Sequence, residues 1–175
     1  MYNLQIKKIE KHIFLAEYQF KDLSFVEYFK DLIDKNVGAY DYQTNVGGKM
    51  TEFEAFKEDK KLHELLEESA EFLKISHFRP TYLQEAWGNI LNKGGDVKYH
   101  THWSKVYSGV IYLTEGGPGT HFPQFNYTVK EKIGKIVFFS GEAYHGVKTT
   151  TNNKKRYTLS FNFDENVSWS SLQCI

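Results

Sequence analysis

The chain has 175 residues, with 22 basic and 22 acidic side chains, so its formal net charge is zero. This length suffices for one domain with a sizeable core, and the balanced charge gives no indication of a nucleic-acid partner or a membrane surface. No stretch approaches the roughly 20 apolar residues of a membrane span. Cys174 is the single cysteine, and the N-terminal segment lacks the apolar run of a signal peptide. We therefore expect a reduced, cytoplasmic location.

The N-terminal part of the chain predicts strand followed by helix. Loose alternation of apolar residues over the first twenty positions is typical of one or two strands. Ser24 with Glu27 predicts a capping box at the start of a first helix. A second helix is predicted from Thr51 to about Lys74, with leucines on one face and a solvated row of glutamates on the other.

After Pro80 the pattern changes to short β-rich segments separated by Gly, Asn and Pro. These segments are residues 81–91, 106–114, 120–129, 135–140 and 156–163. Two helices followed by many short strands predict a mainly β fold with flanking helices. The specific expectation is a double-stranded β-helix (a jelly-roll, cupin-like fold) with the N-terminal helices packed on one sheet. We expect one domain over residues 1–175, with a strand and helix region at about 1–80 and the jelly-roll core at about 81–165.

Three histidines are placed as a metal centre would require. His100 and His102 lie two residues apart at the predicted entrance to a strand, where alternation would point both imidazoles to the same face. His145 follows a second strand, residues 136–139, across a turn. Such a set leaves the opposite coordination positions open for substrate and oxygen. A His-x-His pair also occurs by chance on protein surfaces, so the pair alone does not establish a site.

Arg156 is the second chemical signal, because it lies inside a strand rich in aromatic and β-branched residues. Its permanent charge and planar fork of donors suit a carboxylate. From the residues alone the partner is either a protein carboxylate or a dicarboxylate cosubstrate whose other end chelates the metal.

The order of these motifs resembles the 2-oxoglutarate/Fe(II) oxygenase superfamily, in particular a little-characterised branch related to the prolyl-hydroxylase-like enzymes. The similarity comprises Trp-Gly-Asn at 87–89, the His-x-His with Ser-Gly-Val-Ile-Tyr-Leu at 108–113, a glycine-led apolar strand at 134–139, and the segment 156–162. It runs from the Asn-Val-Gly-Gly loop at 45–48 to Asn162 and covers about two thirds of the chain. The ordered set is far more specific than any one of its members.

The resemblance implies Fe(II) and 2-oxoglutarate as cofactors and hydroxylation as the activity. It makes His100 and His145 the two histidine ligands of the iron. Arg156 would then bind the distal carboxylate of 2-oxoglutarate.

The resemblance also implies supporting roles around the cosubstrate. Tyr112, and with it Thr158, would help Arg156 at the distal carboxylate. Asn89 would lie near the metal-proximal end. The remaining partners would be molecular oxygen and a small-molecule or peptide substrate that the sequence does not identify. The sequence does not indicate the oligomeric state.

The sequence departs from the superfamily at the second position of the His-x-His. His102 stands where most members have Asp or Glu, so the expected site has three histidines. In a rival register His102 would be the first ligand and Ser104 would take the carboxylate position, leaving two protein ligands. Trp103 and Ser140 replace prolines, which changes loops and not the proposed ligands.

Two other functions fit part of the pattern. A cupin-type metal oxygenase with three histidines and no 2-oxoglutarate, such as a thiol dioxygenase, would use Arg156 for the carboxylate of its own substrate. A non-catalytic jelly-roll binding module would use the histidines for structure or to hold a non-redox ion. For the substrate pocket we expect aromatic lining residues, and His121 is expected on the surface. The lining residues are Tyr40, Tyr42, Phe122 and Phe125.

Overall fold

The computed structural model describes residues 13–38, 44–73 and 81–165. Within these ranges the chain forms ten strands and two α-helices. In chain order they are β1 (Leu15–Gln19), α1 (Phe25–Asn36), β2 (Lys49–Met50), α2 (Lys60–Leu73), β3 (Thr81–Leu91), β4 (Val97–His100), β5 (Tyr107–Tyr112), β6 (Thr120–Phe122), β7 (Tyr127–Thr128), β8 (Lys135–Ser140), β9 (His145–Val147) and β10 (Arg156–Glu165). The mainly β prediction is confirmed.

The strands form two antiparallel sheets. The major sheet has six strands in the order β1-β8-β5-β10-β3-β2, and the minor sheet has four in the order β4-β9-β6-β7. Strands that are neighbours in space are distant in sequence, so most of the pairing is long-range. In the minor sheet β4 pairs with β9, with His100 opposite His145.

Both faces of the central strand β10 are covered, one by a cavity wall and the other by the hydrophobic core. One face carries Arg156 and every second residue as far as Asn162, and these side chains line a cavity between the two sheets. The other face carries Tyr157, Leu159 and Phe161, which lie in the larger hydrophobic core. Alternation along the strand therefore separates polar cavity residues from apolar core residues.

The two helices cover the outer face of the major sheet. Phe29 and Ile33 of α1 and Leu62 of α2 are fully buried in the same core cluster as Leu159 and Phe161. The glutamates of α2 are exposed, as predicted from its helical pattern. Among the described residues neither helix is long and apolar enough to cross a membrane.

The predicted start of the second helix and the predicted capping box of the first helix were wrong, although the first helix does begin directly after Ser24. The second helix begins at Lys60 and not at Thr51, because Asp59 accepts a hydrogen bond from the Leu62 N–H (2.9 Å) at its start. The capping box at Ser24 does not form. Its hydroxyl and N–H both donate to Asp22 (3.0 and 2.8 Å), so the hydroxyl does not cap the helix.

Several residues discussed above lie outside the described ranges. They are Tyr40, Tyr42, Lys74, Pro80 and Cys174. Of the predicted N-terminal strands, β1 lies within the described residues and is confirmed.

The helix-to-sheet core can be tested by one pair of neighbouring aromatic residues. Phe29 has no exposed surface, and its replacement by Ala should lower the free energy of unfolding by about 3–5 kcal/mol through lost burial and an unfilled cavity. Tyr28, next to it, is 42% exposed, and Tyr28→Ala should cost about 1 kcal/mol or less. Urea unfolding followed by circular dichroism measures both. Equal losses for the two variants would contradict this packing of α1.

Candidate metal centre

The three predicted histidines lie together at one end of the minor sheet. One ring nitrogen from each of His100, His102 and His145 lies within 4.8 Å of the others. The antiparallel pairing of β4 with β9 explains this proximity, because it sets His100 opposite His145. Among the described residues these histidines form the one group of three or more possible metal-ligating side chains that lie close together. No carboxylate belongs to this group.

The prediction that strand alternation brings His100 and His102 to the same face was wrong. His100 is the last residue of β4, so the pair lies at the exit of a strand and His102 is beyond it. Strand alternation therefore does not place His102. Instead its N–H donates to the Gly141 carbonyl (2.7 Å), and a Cβ at position 141 would come within 2.6 Å of the His102 carbonyl oxygen. Only glycine permits this approach of the two loops.

Backbone carbonyls orient two of the rings. Nδ1 of His100 lies 2.7 Å from the Lys98 carbonyl, and Nδ1 of His145 lies 2.8 Å from the Ala143 carbonyl. A carbonyl oxygen only accepts, so each Nδ1 carries the proton and donates. In the neutral ring the proton is then absent from Nε2, whose lone pair is available to a metal.

Apolar rings surround the cluster. Phe139 and Phe122 lie 4.5 and 5.8 Å from the His145 ring, between ring centroids, and Trp87 lies 6.4 Å from the His102 ring. These contacts hold the imidazoles in place. They also exclude water from one side of the site.

Burial keeps the histidines neutral. It lowers the pKa of His145 to about 3, with the neighbouring His100 adding to the shift. Burial likewise lowers the pKa of His102 to about 3, helped by the nearby His145 and His100. The pKa of His100 is also lowered, mainly by burial and against the hydrogen bond to Lys98. Neutral imidazoles are the form that binds metal, so all three are ready as ligands at neutral pH.

The histidines face a cavity of about 230 Å³ that opens to solvent. One part of its wall is apolar and includes Met50, Phe53 and Trp87. The part formed by β10 is polar. Among the described lining residues Arg156 is the one with a permanent charge. Besides the histidines, the polar lining residues are Thr44, Asn45, Asn89, Thr101, Thr120, Arg156, Thr158, Ser160 and Asn162.

Arg156 has a protein carboxylate as partner. Its Nε donates to Oε1 of Glu131, and the two side chains are 4% and 1% exposed. The other carboxylate oxygen of Glu131 accepts from the Gly117 N–H (2.9 Å). Among the described residues no hydrogen-bond partner reaches the buried Nη2 of Arg156. Both sequence alternatives therefore retain a place, since Nε of the guanidinium is paired with a protein carboxylate and Nη2 is not paired.

The hydroxyl of Tyr112 is engaged elsewhere. It donates to Thr120 Oγ1 (2.7 Å), while the guanidinium carbon of Arg156 lies 5.5 Å from the centre of the Tyr112 ring. Burial raises the pKa of Tyr112 to about 12, so the hydroxyl keeps its proton. Tyr112 itself is absent from the described cavity wall, whereas Thr120 and Thr158 line it.

Asn89 lies on β3 directly opposite Thr158 of β10. Its Nδ2 donates to Ser160 Oγ (3.0 Å) and lies 3.4 Å from Thr158 Oγ1. Its Oδ1 is buried and has no partner among the described residues. Asn89, with its unpaired acceptor Oδ1, and Arg156, with its unpaired donor Nη2, thus line the same cavity.

Other predicted residues lie away from the cavity. Phe122 was expected to line the substrate pocket but is fully buried in the second core cluster, so that expectation was wrong. Phe125 packs against the same cluster. His121 is partly exposed, with its Nδ1 2.6 Å from the Tyr99 hydroxyl. Ser104 lies exposed in a turn, so the rival register gains no support.

Sequence reasoning missed Glu131. It lies in a loop between β7 and β8 among lysines, where a carboxylate usually indicates a solvated surface. The one available signal was the need of a buried arginine for an anionic partner. Nothing in the local pattern distinguished Glu131 from the other acidic residues.

No family model matches the chain, and no curated protein sequence matches it. Solved structures do match. The viral collagen prolyl hydroxylase of Paramecium bursaria Chlorella virus-1, in its 2OG complex, aligns with a TM-score of 0.68 and 13% identity over 85% of this chain and 94% of that one. A Pseudomonas putida prolyl-4-hydroxylase aligns with a TM-score of 0.65 and 16% identity over 87% and 93% of the two chains.

HygX from Streptomyces hygroscopicus, with nickel, 2-oxoglutarate and hygromycin B bound, is also similar. It has a TM-score of 0.66 and 10% identity over 87% of this chain and 83% of its own. Structures that share this fold thus include 2-oxoglutarate-dependent enzymes, and the resemblance read from the sequence is confirmed at the level of the fold.

The buried neutral histidines predict acid sensitivity of the metal-free protein. The folded-state pKa values of His102 and His145 lie far below the ordinary value of 6.5, so below pH 6.5 the unfolded chain binds protons that the folded chain does not. The free energy of unfolding should therefore fall as pH falls from about 6.5 to 5, by about 1.4 kcal/mol per pH unit for each such histidine. Urea unfolding in the presence of a chelator measures this slope.

His102→Gln removes one of these histidines. The free energy of unfolding should then depend less steeply on pH, by about 1.4 kcal/mol per pH unit, which is the contribution of one proton. Ser104→Ala, a change at an exposed residue of the neighbouring turn that does not titrate, is the control and should leave the slope unchanged. An unaltered slope in His102→Gln would contradict the burial of a neutral His102.

Proposed function

We propose that the protein is a non-haem Fe(II) and 2-oxoglutarate-dependent dioxygenase, acting as a hydroxylase. One observation carries the proposal: three neutral histidines and an arginine with an unpaired Nη2 face the same cavity. The shared fold of structures solved with 2OG, or with nickel and 2-oxoglutarate, supports it.

The two sheets are proposed to form a double-stranded β-helix, or jelly roll, with its core at about residues 81–165. The region at about 1–80 would add the N-terminal strand and both helices to the same domain. The antiparallel pairing of β4, β9 and β6 opposite the major sheet supports this arrangement.

His100 and His145 would hold the metal, with His102 as third ligand. The donor set fits a divalent first-row metal, since imidazole nitrogen suits iron and Nε2 of His100 and His145 is free of its proton. With three neutral ligands the metal keeps its full charge, which favours an anionic chelating ligand. When bound, Fe(II) and 2-oxoglutarate would supply the oxidation that inserts one oxygen atom of O2 into a C–H bond, with succinate and CO2 as coproducts.

The cosubstrate would lie along the polar wall. Arg156 would donate from Nη2 to the distal carboxylate, and Thr158 lies two residues further along the same face of β10. Asn89, opposite Thr158, would contact the cosubstrate nearer the metal. Tyr112 would act indirectly, through its ring below Arg156 and its hydrogen bond to Thr120.

The second substrate would enter along the apolar wall. Phe53 is 38% exposed and lies 5.2 Å from the Trp87 ring, which in turn lies 6.4 Å from the His102 ring. These rings form a path from the surface to the histidines. A small molecule or a peptide side chain could follow it, and a reduced cytoplasmic setting would suit the chemistry.

A three-histidine oxygenase that does not use 2-oxoglutarate is the second candidate. The pairing of Arg156 with Glu131 favours it, because the arginine then needs no external anion to be stable. Oxygen consumption with a thiol and without 2-oxoglutarate would support this candidate. A non-catalytic module would bind no divalent metal even at micromolar concentration.

The test is anaerobic addition of Fe(II) and 2-oxoglutarate. The wild-type protein should develop the visible charge-transfer absorption of the chelate, and on admission of oxygen it should form succinate. Arg156→Lys keeps a cation beside Glu131 but lacks the guanidinium fork, so it should weaken 2-oxoglutarate binding at least about tenfold. Lys155→Gln, a change at the exposed neighbouring residue, is the control.

Fe(II) binding without the chelate band, together with no succinate, would contradict the proposed function. An unchanged affinity in Arg156→Lys would contradict the role of Arg156 alone.

A further inference from the structure

The buried pair of Glu131 and Arg156 engages Nε of the arginine and leaves its Nη2 without a protein partner. Oε1 of Glu131 accepts from Nε of Arg156, while Oε2 accepts from the Gly117 N–H at 2.9 Å. A Cβ at position 117 would lie 2.5 Å from Oε2, so glycine is needed for this contact. Among the described residues Nη2 has no hydrogen-bond partner, so the carboxylate binds the arginine through one nitrogen.

This geometry leaves Nη2 of Arg156 available to a ligand, while the carboxylate of Glu131 offsets the positive charge of the guanidinium. The side chains of Arg156 and Glu131 are 4% and 1% exposed, so water screens the pair weakly. Burial raises the pKa of Glu131, and the adjacent guanidinium and the Gly117 N–H oppose that shift. With the carboxylate ionised, this end of the cavity presents a hydrogen-bond donor with little net charge.

A hydrogen-bond acceptor without a partner lies on the same wall. Asn89 uses Nδ2 toward Ser160 and Thr158, and its Oδ1 has no partner among the described residues. Asn89 is opposite Thr158, two residues along β10 from Arg156, and all three side chains line the cavity. Apart from Arg156, whose charge Glu131 offsets, this wall offers a ligand hydrogen bonds and no charge.

We propose that Glu131 is a positioning residue that sets ligand specificity at this end of the cavity. It holds the guanidinium of Arg156 with Nη2 unpaired and offsets its charge, so the distal group is recognised by hydrogen bonds and not by charge. A carboxamide in the distal position therefore binds about as well as a carboxylate. This inference rests on the proposed function, because it concerns the same cavity.

The wild-type protein tests the proposal directly. The probes are N-oxalylglycine, a redox-inert analogue of 2-oxoglutarate, its primary amide N-oxalylglycinamide, and N-ethyloxamate, which ends in a methyl group. All three keep the same chelating end. Isothermal titration calorimetry on the zinc-loaded protein measures their dissociation constants.

We expect the acid and the amide to bind within about tenfold of each other, and the methyl compound to bind at least about tenfold more weakly than both. An amide about 100-fold or more weaker than the acid would overturn the proposal. If none of the three binds to the zinc-loaded protein, the proposed function fails and the inference fails with it.

Glu131→Gln separates the specificity role from a structural one. It removes the charge while keeping an oxygen for Nε, so the preference for the acid over the amide should increase at least about tenfold. Glu131→Asp keeps the charge and should retain the wild-type ratio. Equal weakening of both ligands in Glu131→Gln would show a purely structural role and overturn the proposal. If Glu131→Gln does not fold, the wild-type ligand series decides.

Discussion

The pairing of β4 with β9 is the contact on which the candidate site depends. It brings His100 and His145 together from distant parts of the sequence, and it does so through backbone hydrogen bonds and not through the imidazoles themselves. The two rings are then fixed by carbonyl groups of their own loops, from Lys98 and Ala143. A metal site built in this way is organised before any metal arrives, which lowers the cost of ordering ligands on binding.

The protein groups that surround the cavity contribute little net charge. Three buried imidazoles contribute no charge at neutral pH, and the charge of Arg156 is matched by Glu131. A bound divalent cation would then be the main uncompensated charge that an incoming ligand meets. The metal-binding end of a ligand would therefore be selected by charge, whereas its distal end would be selected by hydrogen bonds to Arg156.

Much of this arrangement was predictable from the sequence. The segments 81–91 and 135–140 show their strand character directly, and β3 and β8 have these bounds. The three histidines were also predicted as a group, because their spacing and order match a motif. Strand alternation was the wrong reason for His102, whose position depends on the Gly141 loop and so on a long-range contact.

The partner of Arg156 could not be predicted. A sequence shows that a strand arginine needs an anion, but the choice among 22 acidic residues depends on how the loops fold over the sheet. The same holds for Phe122, where an aromatic residue near a turn could face the cavity or the core. The start of α2 and the cap of α1 were misjudged for a local reason, since Asp59 and Asp22 accept hydrogen bonds that the helical pattern does not show.

The most direct measurement of the central claim is the metal stoichiometry of the purified protein after loading with Fe(II) or Co(II) under anaerobic conditions. One metal ion per chain is expected for the wild type and for His121→Ala, whose imidazole contacts Tyr99 outside the cluster. His100→Ala and His145→Ala should each retain little or none. Full loading of His145→Ala, or loss of the metal in His121→Ala, would contradict the assignment of the metal centre to these three histidines.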